Sequence, residues 1–108
     1  MATKQSFAEF IVDQIDHAGD ITIRKMFGEY AIYSNGKVFG LICDNQLFIK
    51  PTQVGREYIG TITEAPPYPG ATNYFLIEDR IEDREWLSEL VRITAKALPE
   101  PKLKKKKK

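Results

Sequence analysis

The chain of 108 residues has one cysteine, one histidine, one tryptophan and two methionines. A single thiol, Cys43, excludes an internal disulfide framework and a cysteine zinc cluster, and points to a reducing compartment. A single imidazole, His17, leaves little for histidine-based chemistry. No apolar run approaches the ~20 residues of a membrane-spanning helix. The first residues, Met1-Ala2-Thr3-Lys4-Gln5-Ser6, lack the apolar heart of a signal peptide, so a cytoplasmic location is expected. No phosphate-cradling glycine pattern, dinucleotide fingerprint or G-x-S-x-G elbow occurs.

The chain is otherwise ordinary for a small globular domain: 43% hydrophobic and 29% charged. The net charge of +1 conceals an asymmetry, because Lys102, Lys104, Lys105, Lys106, Lys107 and Lys108 crowd the last seven residues. Taking those six from 16 basic residues leaves 10 against 15 acidic ones, so the body carries −5. An acidic body with a cationic tail is not the charge pattern of a DNA-binding domain. The tail could bind nucleic acid weakly and without sequence preference, or could serve solubility. Self-repulsion predicts that it is disordered, giving a domain over 1–98 and a Pro/Lys-rich tail over 99–108.

Along the body the patterning alternates between helix and strand. Phe7, Phe10, Ile11, Ile15 and Ala18 share one helical face, with Ser6 and Glu9 as a capping box and Gly19 as the terminator. Ile21–Phe27 is mixed in character. Glu29–Tyr33 and Lys37–Cys43 read as strands around Asn35-Gly36, whose type I′ turn needs positive φ twice. Asp44-Asn45 offers a second tight turn into Gln46–Lys50, completing a meander. A short helix over Thr52–Ile59, a proline-rich extended link over Glu64–Gly70 and a strand over Asn73–Ile77 follow. Asp83 caps a final helix whose apolar stripe includes Trp86, Leu87, Leu90 and Ile93. The sum is helix, three-strand meander, short helix, at least one more strand and helix, an α+β fold whose helical apolar stripes need one face of an antiparallel sheet to cover.

Candidate chemistry is thin. His17, with Asp13, Asp16 and Asp20 on the same helix, falls short of the converging ligands a tight metal site needs and reads as a solvated acidic face. Cys43 lacks a neighbouring base and reads as a small hydrophobe. Tyr30, Tyr33, Phe39 and Phe48 could form a base-stacking platform, although core packing explains the same alternation. An undetected enzyme pocket would centre on Tyr68, Tyr74 and Glu78. Arg24 and Lys25 could hold an anionic partner. The plainer arrangement, a solvated charged edge with Met26 and Phe27 turned inward, is expected.

Taken together, Arg24-Lys25-Met26-Phe27-Gly28, Tyr30, Tyr33, Asn35-Gly36-Lys37-Val38-Phe39-Gly40-Leu41 and Leu47-Phe48-Ile49-Lys50 resemble the N-terminal domain of the TfoX/Sxy competence regulators. Tyr74-Phe75 and the Trp86 helix sit in the corresponding order, so the likeness spans about Ile21 to Leu98. The resemblance implies a two-layer α+β sandwich, with N- and C-terminal helices packed on an antiparallel sheet of about five strands, no enzyme activity and no cofactor. Met26, Phe27, Gly28, Asn35, Gly36, Phe39, Leu47, Lys50 and Trp86 would then be positions set by the fold. In full-length regulators this domain precedes a second, helical one that helps to switch on DNA-uptake genes. Here only Pro99-Glu100-Pro101, Leu103 and six lysines follow Leu98, so a stand-alone version is expected. The expected function is non-enzymatic contact with an unidentified protein, as an accessory to transcriptional regulation. The alternative is a nucleic-acid accessory acting through the lysine tail.

Overall fold

The computed structural model describes residues 3–99. The order is α1 (Gln5–Gln14), β1 (Ile21–Met26), β2 (Glu29–Ser34), β3 (Lys37–Cys43), β4 (Gln46–Ile49), α2 (Gln53–Ile59), β5 (Glu64–Ala65), β6 (Tyr74–Ile77) and α3 (Arg84–Ala97). The six strands form one antiparallel sheet in the order β1-β2-β3-β4-β6-β5, against the about five expected. The two that the sequence pattern does not mark as strands are β1, the segment of mixed character, and the two-residue β5, at the start of the proline-rich link. The fold is α+β, as expected.

The turns follow from residue chemistry. Asn35 and Gly36 have φ of 51° and 84°, and Asp44 and Asn45 have 52° and 58°. These left-handed values let two-residue turns match the twist of the strands they join.

Register sorts the side chains by face. Ile23, Ile32, Ile49 and Phe75 line one row on the helix side, and Tyr30, Ile42, Leu47 and Ile77 a second. Together with Ala8 and Ile11 of α1, Ile15 just after it, and Leu87, Leu90 and Val91 of α3 they form the core, with Ile23 partly buried against it. Each fully buried aliphatic side chain there contributes roughly 1.5–3 kcal/mol relative to exposure. A β-bulge interrupts the regular pairing. Ile32 faces Gly40 while Tyr33 faces Val38, so Phe39 is the extra residue. The bulge lets Phe39 join the core, where it is fully buried, beside a glycine that fills no space.

Two helix boundaries differ from the sequence pattern. α1 begins at Gln5, one turn's edge earlier than the Ser6 cap predicts, and no side chain caps it. The preceding residues are tied elsewhere: Thr3 N–H donates to the Gly28 carbonyl at 3.0 Å and Lys4 N–H to Asn45 Oδ1 at 2.8 Å. The helix stops at Gln14, well before Gly19, because the Gln14 carbonyl accepts from Ser88 Oγ at 3.2 Å and its amide donates to the Ile81 carbonyl at 2.9 Å. Phe10, expected in the core, is 36% exposed, and Val12 packs on the core instead.

α2 is capped by Thr52, whose hydroxyl accepts from Gly55 N–H at 3.0 Å. Asp83 caps α3, accepting from Trp86 N–H at 3.2 Å; that bond, then Arg80, holds its carboxyl below the usual range. The Trp86 ring stacks on Tyr58 at 5.5 Å, under the Arg80 guanidinium at 4.4 Å, and so locks α3 to α2. No helix among the described residues is long and apolar enough to cross a membrane.

Candidate functional site

The helices cover one side of the sheet only. On the other side the pairing register aligns Arg24, Ala31, Leu41, Phe48 and Leu76 in a row across five strands. Phe48 is 3% exposed, so something lies over this face. The link after β5 runs along it: Tyr68 of that link lines a pocket with Leu41, the neighbour of Phe48 in the row, and Pro67 is buried. Proline holds this link extended and gives it few conformations to lose. Beyond Pro67 it presents Tyr68, which is 56% exposed.

Between that link and the β1–β2 turn opens a cleft of about 500 Å³. Leu41, Cys43 and Tyr30 line it together with Met26, Phe27 and Tyr68. The one carboxylate in the lining, Glu29, is engaged from below: it accepts from Thr3 Oγ1 at 2.5 Å and from Asp44 N–H at 3.0 Å. Thr3 thereby ties the β1–β2 turn to the β3–β4 turn and fixes that wall.

Phe27 is the unexpected member. The hydrophobic reading turns Met26 and Phe27 inward. Instead Met26 is 42% exposed and Phe27 fully so, at 103%. The cause is turn geometry. Phe27 and Gly28 form the two-residue connection between β1 and β2, with φ of 53° and 84°. A side chain at a hairpin tip projects past the sheet, where no layer meets it. A left-handed conformation is costly for a bulky residue. Sequence reasoning missed this because Phe-Gly is a rare substitute for Asn-Gly. The signal was the Gly28 that follows, at the same spacing as Gly36.

Arg24 shares the open side with the cleft, two residues from Met26, whereas Lys25 points to the helix side. Both are exposed, and neither makes an ion pair or hydrogen bond with a described residue. Lys102 and Lys104–Lys108, the other candidate contact residues, lie outside the described residues, as does the disorder expected of the tail.

Other sequence candidates do not converge. Tyr30 and Phe39 belong to the core, Phe48 lies on the opposite face and Tyr33 is half-buried, so the four rings form no single platform. Tyr68 lines the cleft and Tyr74 is close by. Burial, then Tyr68 and Cys43, pushes the Tyr74 hydroxyl up. Glu78 sits elsewhere, in a groove of about 250 Å³ with Thr61, Thr63, Arg80 and Trp86. His17 lies 3.5 Å from Asp16, and no three His, Cys, Asp or Glu side chains cluster for a metal among the described residues. Cys43 is buried, and desolvation, then Glu29 and Asp44, pushes its thiol up to about 11. Of the fold positions, Leu47 is buried on the helix side, and Lys50 donates its N–H to the Phe39 carbonyl at 2.8 Å.

The sequence profile of the TfoX N-terminal domain matches residues 13–98. The chain belongs to the TfoX N-terminal domain family. The match takes in every strand, both walls of the cleft and α3. A relative in Spirochaeta aurantia, named an uncharacterized 12.7 kDa protein in the trpE 5′ region, is 44% identical over 107 residues. The alignment covers 99% of this chain and 93% of that protein, so the two are of nearly the same length.

Proposed function

We propose that this chain is a non-enzymatic interaction module that grips an extended, acidic and apolar segment of a protein partner. The contact lies in the cleft between Phe27 and Tyr68. The module acts as an accessory to transcriptional control of the competence type. The observation that carries the reading is the full exposure of Phe27 in a left-handed turn position. A fold gains nothing by holding a bulky ring there, whereas an exposed aromatic beside a pocket is the usual anchor of an interface.

The chemistry of the cleft fits an extended segment. Leu41 and Met26 offer apolar contact, Tyr68 adds an aromatic wall and Arg24 a cation for a carboxylate. The proline-held link keeps Tyr68 in place, which lowers the ordering cost of binding. A catalytic use is disfavoured because the nucleophile in the cleft, Cys43, keeps its proton to about pH 11.

The test places a photo-crosslinking residue at position 68 in the native cells. One protein should be captured by the otherwise unaltered chain and lost with Phe27→Asn, a change that keeps the turn. Capture indifferent to Phe27→Asn, or no adduct at all, overturns the reading.

A further inference from the structure

The two edges of the sheet differ. One is β5, only two residues long and running into Pro66 and Pro67, which cannot donate to a ladder. The other is β1, six residues long, with an uninterrupted register and no proline. No described strand pairs with its outer side. An edge of that kind is a template for pairing with another chain, and cations such as Arg24 and Lys25 are a common guard against it. Here one of the two, Lys25, lies on the same side of the strand as an acidic groove.

Beside β1 runs a groove of about 310 Å³, in which Glu9, Asp13 and Asp16 of the α1 side flank Ile21 and Ile23. Two of these carboxylates share one guanidinium: Arg84 lies 3.1 Å from Asp13 and 3.5 Å from Asp16. Glu9 accepts only from the neutral Gln5 amide, at 2.8 Å, and the His17 ring lies 3.5 Å from Asp16. Lys25 shares the helix side of β1 with Ile21 and Ile23 and has no partner among the described residues. One edge therefore carries both an acidic groove and the cation to fill it. That self-complementarity is what a two-fold interface requires.

We infer that two copies of this chain pair antiparallel along β1, about a two-fold axis through Ile23, with Lys25 of each copy over Asp16 of the other. The register follows from geometry. Facing residues on antiparallel strands point to the same side, so the axis falls on a residue. The longest overlaps are centred on Ile23 or Arg24. The second sets the two Arg24 side chains against each other, and like charges directly opposite are destabilising. The first faces Ile21 with Lys25 and Thr22 with Arg24. Asp16 lies at the Ile21 end of the groove, because the chain turns there from α1 into β1. This interface is separate from the Phe27 cleft and does not depend on it.

Sedimentation equilibrium on the full chain at low salt and high micromolar concentration reads the outcome. The unaltered chain should have twice the monomer mass, and its β1 amides should be protected from exchange only as concentration rises. Lys25→Glu alone and Asp16→Lys alone should each weaken association by about tenfold or more. Asp13 keeps Arg84 paired in the second variant, and circular dichroism should show both variants folded. An equimolar mixture of the two should regain the dimer mass, because both charge contacts re-form in the mixed pair. A monomeric unaltered chain, variants that associate as well as it does, or a mixture that stays monomeric would each overturn the inference.

Discussion

The Lys37 ammonium donates to the Ala95 carbonyl at 3.0 Å, and also to that of Leu98 at 3.2 Å. A residue that opens a strand thus satisfies the carbonyl end of the last helix. The Ala95 carbonyl otherwise accepts only from the capping Leu98 N–H, at 3.3 Å, and both carbonyls lie at the negative end of the α3 dipole. Lys37→Met keeps the aliphatic stem and removes the charge. It should cost about 1–2 kcal/mol, the lower part of the range for charged hydrogen bonds because the site is half-exposed. The denaturant midpoint should fall with an unchanged slope.

Gly40 passes directly under the Phe48 carbonyl, so that a Cβ at position 40 would collide with that oxygen. Backbone cannot yield as a flexible side chain would. Gly40→Ala should therefore spread β3 from β4 and cost about 1–3 kcal/mol, the usual range for overpacking. Amide exchange should rise first at Lys50, whose N–H donates to Phe39 next to the contact. Wild-type protection at Lys50 in the variant would show that the strands absorb the methyl group.

The two neighbouring positions 39 and 40 show where sequence legibility ends. Asn35-Gly36 and Asp44-Asn45 announced their turns because few residues tolerate positive φ, and the strands between them followed from apolar patterning. Asp83 announced α3 because a carboxylate ahead of an apolar stripe has one common use. The bulge at Phe39 gave no sign, since a continuous apolar strand hides which residue steps out of register. β1 looked mixed because an edge strand exposes Arg24, Lys25 and Met26 in succession and loses its two-residue period. Lys37 is tied to carbonyls 58 and 61 residues away, a partnership that no local pattern encodes. The cleft was hidden for a similar reason: it exists only where the proline-rich link crosses a distant hairpin tip.

The Cys43 thiol is pushed up to about 11 from 9.0. Two units less acidity leaves about a hundredfold less thiolate at pH 8 than an unshifted cysteine has. Alkylation by iodoacetamide at pH 8 should be slower than for the unfolded chain by about that factor. The linked effect on stability has a definite sign. The folded state holds its proton more tightly than the unfolded state, so the contribution is complete below pH 9 and is lost as pH rises toward about 11. Cys43→Ala should flatten that part of the stability profile.

Phe27 should separate stability from binding. Its φ of 53° costs a phenylalanine more than it costs asparagine, and the ring recovers nothing by burial because it is fully exposed. Phe27→Asn builds the Asn-Gly turn that the neighbouring β2–β3 hairpin already uses, and it should stabilise the fold by about 1 kcal/mol. The same change removes the outer wall of the cleft, so capture of a partner at position 68 should disappear while the melting temperature rises. A loss of stability would mean that the ring packs on the turn in solution. A gain with capture intact would mean that the strain at Phe27 serves something other than this cleft.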